Sequence, residues 1–128
     1  MFHVKHRGNA MKELPKKEKE KLQDAFSTLE KYGFKVIIEP DYNPCYETTV
    51  NSKADALLYV QDEELFRANV WGVSRKTWRD FRMHLADGDS CWAKTKKGTQ
   101  CKNLGASHIL PNEWVDGVSQ FCRVHRIK

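Results

Sequence analysis

Three cysteines and one histidine in the last third of the chain have the types and spacing to do chemistry. They run Cys91, nine residues, Cys101, twenty residues, Cys122, two residues, His125. Three thiolates and an imidazole fill a tetrahedral zinc shell with no open position. A closed shell holds a fold together but has no bound water to activate. The set therefore points away from metal-dependent catalysis and toward a zinc-stapled binding protein. Gly98 follows Lys96 and Lys97, which predicts a tight hairpin that brings Cys91 and Cys101 together. Cys122 and His125 are close enough for one short turn to present both. Lys94, Lys96 and Lys97 lie nearby, where positive charge lowers the cost of gathering thiolates. His108 is the alternative fourth ligand, although its neighbours Ala106, Ser107, Ile109, Leu110 and Pro111 read as a loop entering a hydrophobic patch.

Two plainer readings stand beside zinc. With Cys45 there are four cysteines, which allow three disulfide pairings; alternatively the cysteines are simply small buried side chains. Against disulfides, the first ten residues do not form an apolar signal segment, and the expected setting is the reducing cytoplasm, which suits thiolate ligands.

The elements that must position these ligands come from a 128-residue chain that is 40% apolar, the size of one domain or two very small ones. No run of eighteen apolar residues occurs, which excludes a membrane-spanning helix. Charge is segregated. Residues 36–70 carry two basic and seven acidic side chains, whereas residues 71–128 carry eleven basic and five acidic. Such polarity suits a phosphate backbone or an acidic protein face as partner.

The pattern predicts an α+β chain. Residues 1–13 read as a flexible leader, with Met11 an alternative start. Residues 14–50 read as a helix and a β-hairpin. Leu22, Phe26 and Leu29, with Ala25 and Tyr32, form a helical stripe that Gly33 ends. Phe34–Glu39 and the alternation of Tyr46, Thr48 and Val50 supply the strands. Residues 51–86 read as helices, with Ser52, Asp62 and Ser74 as N-caps, and residues 87–128 as the zinc module.

The segment Ala68-x-x-Trp71-Gly72-Val73-Ser74-Arg75-x-Thr77-Trp78 resembles a helix-turn-helix unit. The resemblance implies that Gly72 makes the turn, Val73 plugs the corner and Ser74 caps the second helix. Trp78, Phe81 and Leu85 are then its core face and Arg75, Lys76, Arg79 and Arg82 its polar one. Arg75, Lys76 and Arg79 would contact DNA directly, and Arg82 its backbone. The plain alternative is an amphipathic helix with a solvated basic side.

Cys91-x-Ala93-x-Thr95-x-x-Gly98-x-x-Cys101, with Phe121-Cys122-x-x-His125, resembles the small zinc-knuckle modules of phage and prophage proteins over about 35 residues. The resemblance implies zinc on Cys91, Cys101, Cys122 and His125, and a phage-borne gene. No catalytic triad or open-metal nuclease set is spaced convincingly, so the chain reads as a non-enzyme. The leading expectation is a cytoplasmic, zinc-stabilised protein that binds double-stranded DNA, with Lys94, Lys96 and Lys97 on phosphates. The alternative is a phage-encoded inhibitor of a host protein or defence complex, for example of CRISPR type, addressed through the acidic segment Asp41 to Glu64.

Overall fold

The computed structural model describes residues 12–39 and 47–126. The chain is α+β, as the pattern predicts, with four α-helices and one two-stranded antiparallel sheet among the described residues. Most of the leader expected over residues 1–13 lies outside the described residues, as do Cys45 and Tyr46. The chain divides into two compact units that meet between Val70 and Trp71.

The first unit begins with helix α1, Lys16–Lys31, entered through Pro15, whose fixed φ suits a helix start. At its other end Gly33 sits at φ +83°. Gly33 N–H donates to Glu30 and Phe34 N–H to Leu29, so two terminal carbonyls are satisfied and the helix stops where the glycine predicts. Strands β1, Val36–Ile38, and β2, Thr48–Val50, pair with Val36 opposite Val50 and Ile38 opposite Thr48. Both are shorter than the apolar runs that announce them.

Helix α2, Lys53–Gln61, is capped by Ser52, whose hydroxyl accepts from Asp55 N–H at 3.1 Å. Asp62 then ends α2 and starts α3, Glu63–Trp71: its N–H donates to Leu58 and its carboxylate accepts from Leu65 N–H at 3.2 Å. One aspartate thus serves as the joint between two helices. Phe26, Val50, Ala56 and Phe66 form the core, with Leu22, Val36, Ile38, Leu58 and Tyr59 packed against it. Tyr59 meets Phe66 edge-on at 5.6 Å. The apolar stripe of α1 is buried only in its middle, since Leu29 and Tyr32 are 41% and 69% exposed. Gln61 ties down the chain ahead of α1, taking Lys12 N–H on its carbonyl and Leu14 N–H on its side chain.

The second unit begins at Trp71, turns at Gly72, which takes φ +68°, and continues as helix α4, Arg75–Ala86. Ser74 caps α4 by accepting Thr77 N–H at 3.0 Å. Beyond α4 regular structure is sparse: two isolated antiparallel bridges, Ser90 with Leu104 and Lys94 with Gln100, and a 3-10 turn at Pro111–Glu113. Aromatic packing supplies the core. Trp78 and Phe81 stack at 6.0 Å; Trp114 meets Phe81 at 6.5 Å, His84 at 5.4 Å and Trp92 at 6.1 Å.

His84, rather than the half-buried Leu85, takes the inward place on α4. It is 2% exposed, and its Nε2 lies 2.8 Å from the Ala106 carbonyl, so that nitrogen carries the proton and donates. Gly105 lies directly against this ring. A β-carbon there would fall 2.7 Å from the Ser119 carbonyl oxygen and 2.9 Å from His84 Cε1. Gly105→Ala must therefore displace backbone or a buried ring, and is expected to cost about 1–3 kcal/mol. Urea unfolding of the variant beside the parent protein measures it.

Candidate metal centre

The hairpin that carries the first two cysteines follows from local turn chemistry. Gly98 N–H donates to Thr95 C=O at 2.9 Å, closing a four-residue turn, and Gly98 takes φ +81°. That left-handed residue lets Thr95 N–H meet Thr99 C=O at 2.7 Å, the usual three-residue hairpin loop. Cys101 N–H donates to Ala93 C=O and Cys91 N–H to Asn103 C=O. The two cysteines therefore sit on facing arms of one hairpin. Trp92 N–H bonds Gln120 C=O and Ala106 N–H bonds Ser119 C=O, which brings the chain back alongside just before Cys122. A last turn, His125 N–H to Cys122 C=O at 3.0 Å, places the histidine over its cysteine.

The four ligand atoms consequently lie within 4.8 Å of one another, three of the residues buried and His125 half-buried. Cys101 Sγ to Cys122 Sγ is 3.9 Å, Cys91 Sγ to His125 Nδ1 is 3.6 Å, and Cys122 Sγ to His125 Nδ1 is 3.2 Å. A tetrahedral ion with metal–sulfur bonds of about 2.3 Å and metal–nitrogen bonds of about 2.0 Å sets edges of about 3.8 and 3.5 Å. The cluster has that size. It is arranged to hold a metal, through Nδ1 of the histidine. Four protein donors of this kind leave no position for a reacting water.

The sulfurs are also surrounded as thiolates. Cys91 Sγ accepts Ala93 N–H at 3.5 Å. Asn103 N–H lies toward Cys101, and the N–H groups of Val124 and His125 toward Cys122. Each sulfur thus receives a main-chain donor from two residues on. Cys122 also accepts the Asn103 side-chain amide at 3.8 Å. Burial pushes the Cys122 thiol up, but the two backbone donors, His125 and Asn103 together outweigh it and bring the group down to about 6. At Cys101 the Asn103 backbone donor pulls down, while burial and the neighbouring Cys122 and Cys91 sulfurs push harder, and its thiol rises above the ordinary value.

Of the residues singled out from sequence, Cys91, Cys101, Cys122 and His125 come together, and His108 does not join them. His108 sits at φ +58° on an exposed loop. Lys94, Lys96 and Lys97 are exposed at the hairpin tip. On α4, Arg79 is exposed and Arg75 and Arg82 are half-buried. Lys76 bonds Asp80 at 2.6 Å and lies 3.8 Å from Asp116. The Asp80 bond, then its charge, holds the Lys76 ammonium above its ordinary pKa. The sequence pattern assigned neither Asn103 its donor role nor His84 its buried place; the role of Asn103 had a signal, its position two residues after a cysteine.

Comparison with protein-family models, with curated proteins and with solved structures found no match to this chain.

Two outcomes follow from the ligand set. His125→Ala is expected to lose metal or hold it at least tenfold more weakly, while His108→Ala keeps one ion per chain; native mass spectrometry with metal analysis decides. Metal affinity should also fall with pH. Above pH about 6 the lowered Cys122 is already thiolate and needs no proton removed, so its contribution is lost only as the pH falls through that value. The raised Cys101 still carries its proton at neutral pH and must release it on binding. The Cys101 release by itself weakens binding about tenfold per pH unit below its pKa, and competition with a chelator of known affinity at pH 6.5, 7.5 and 8.5 measures the slope.

Proposed function

We propose that this protein is a small zinc-stabilised, non-catalytic protein that binds double-stranded DNA in a cytoplasmic setting. The observation that carries the reading is the closed ligand set of Cys91, Cys101, Cys122 and His125 in a unit whose surface is strongly basic. Soft sulfur donors with one imidazole, at tetrahedral spacing, favour zinc over harder cations. Its role is to fix loops that have little regular secondary structure of their own.

The basic groups then have rigid supports. Lys94, Lys96 and Lys97 ride on a hairpin closed at its base by two ligands, and Arg75, Arg79 and Arg82 share one side of α4 at spacings of four and three. The break at Gly72 and the Ser74 cap agree with the local pattern of a helix-turn-helix, with α4 as the helix offered to the major groove. Lys76 also bonds Asp80, which engages part of its charge. The likeness to phage zinc-knuckle modules supports a phage-borne origin for such a binder.

Fluorescence anisotropy with a labelled duplex tests the reading. Affinity should fall about 10-fold or more between 50 and 200 mM salt, through counterion release. Arg79→Ala and Lys96→Ala should each reduce the salt slope by about one. Binding that ignores salt, or variants that bind like the parent, would overturn it and leave the inhibitor of a host protein as the reading to pursue.

A further inference from the structure

The first unit carries a hollow of about 380 Å³ lined by Glu47, Thr48, Thr49, Asn51, Asp55 and Leu58, with Phe66, Asn69 and Val70 behind them. Its place follows from strand geometry. Successive side chains of a strand point to opposite faces, so Thr48 and Thr49 both line one hollow only if it runs along the strand's edge. No residue of β1 lines it. The hollow therefore follows the edge of β2 that faces away from β1, with α2 and α3 as its far wall.

Three features of this edge describe an occupant. First, no third strand joins the sheet among the described residues, so β2 offers main-chain donors and acceptors along this side. Secondly, the lining contains two carboxylates, Glu47 and Asp55, and no lysine or arginine. The nearest arginine on α3, Arg67, is turned elsewhere: its Nε bonds Glu63 at 2.9 Å and its guanidinium reaches the Glu39 carbonyl at 3.1 Å. Thirdly, Leu58, Phe66 and Val70 give an apolar floor, and Val70 is 47% exposed. Main chain to pair with, negative charge at the rim and apolar surface below match an extended segment that alternates basic and apolar side chains.

We propose that the open edge of β2 is a docking site for an extended lysine- or arginine-bearing peptide of a partner protein, which adds to the sheet as a third strand. The site is distinct from the DNA-binding surface proposed for the second unit and does not rest on it. Residues 36–70 carry seven acidic and two basic side chains, so charge draws a basic partner toward this segment. Opposite charges at the rim set the direction of approach, and the strand ladder sets the register.

The experiment is an amide NMR titration of the full metal-loaded chain with acetyl-Lys-Val-Lys-Val-Lys-amide, using the corresponding glutamate peptide as control. Shift changes are expected at residues 47–51 and at Asp55 with the lysine peptide only. The Glu47→Lys, Asp55→Asn double variant should bind about fivefold or more weakly, as two partly exposed ion pairs imply, while its spectrum keeps the dispersion of the parent. Shifts confined to other residues, equal binding of the glutamate peptide, an unaltered variant, or no binding at millimolar peptide would each overturn the proposal.

Discussion

Three thiolates drawn to within a few ångströms of one another repel, and burial strips them of the water that would otherwise screen them. The second unit depends on meeting that cost. Main-chain N–H groups meet part of it, one from two residues beyond each cysteine. A cation held by the four ligands would meet the rest, and would join the hairpin to the C-terminal turn. Such a joint would reinforce segments whose regular structure beyond α4 is two isolated bridges and one 3-10 turn.

The two units are stabilised by different means. The first buries aliphatic and aromatic side chains between helices and a short sheet, and its joints are hydrogen-bonded caps. The second has one amphipathic helix, and the rings that pack together in its core come from α4 and from the two loop residues Trp92 and Trp114. Gly105 and His84 set how closely loop and helix approach. Trp92 is next to a ligand, so the aromatic cluster and the metal centre share backbone and each constrains the other.

What could be read from the sequence was local. Ser52, Asp62 and Ser74 cap the helices expected of them, and Gly33 and Gly98 take the left-handed backbone their turns require. The ligand set was legible for a chemical reason: few residue types bind a soft metal, and two of the three spacings are short enough for a turn or hairpin to close. What could not be read depends on distant pairing. His84 is inward because a carbonyl 22 residues away accepts its proton, and no helical period reveals that partner. The exposure of Leu29 and Tyr32 is similar, since an apolar stripe marks a face but not where its neighbours end.

The hairpin has a consequence for the order in which the centre assembles. Cys91 and Cys101 are presented by a turn that forms from nearby residues alone, and Cys122 with His125 by another. Each half-site can exist before the other arrives. What remains is one loop closure across the twenty residues between Cys101 and Cys122, on the order of 3 kcal/mol of chain entropy beyond a constant. An ion held by the hairpin would make that closure intramolecular with respect to the metal, with the Cys91–Cys101 half-site as nucleus and the C-terminal turn as latch.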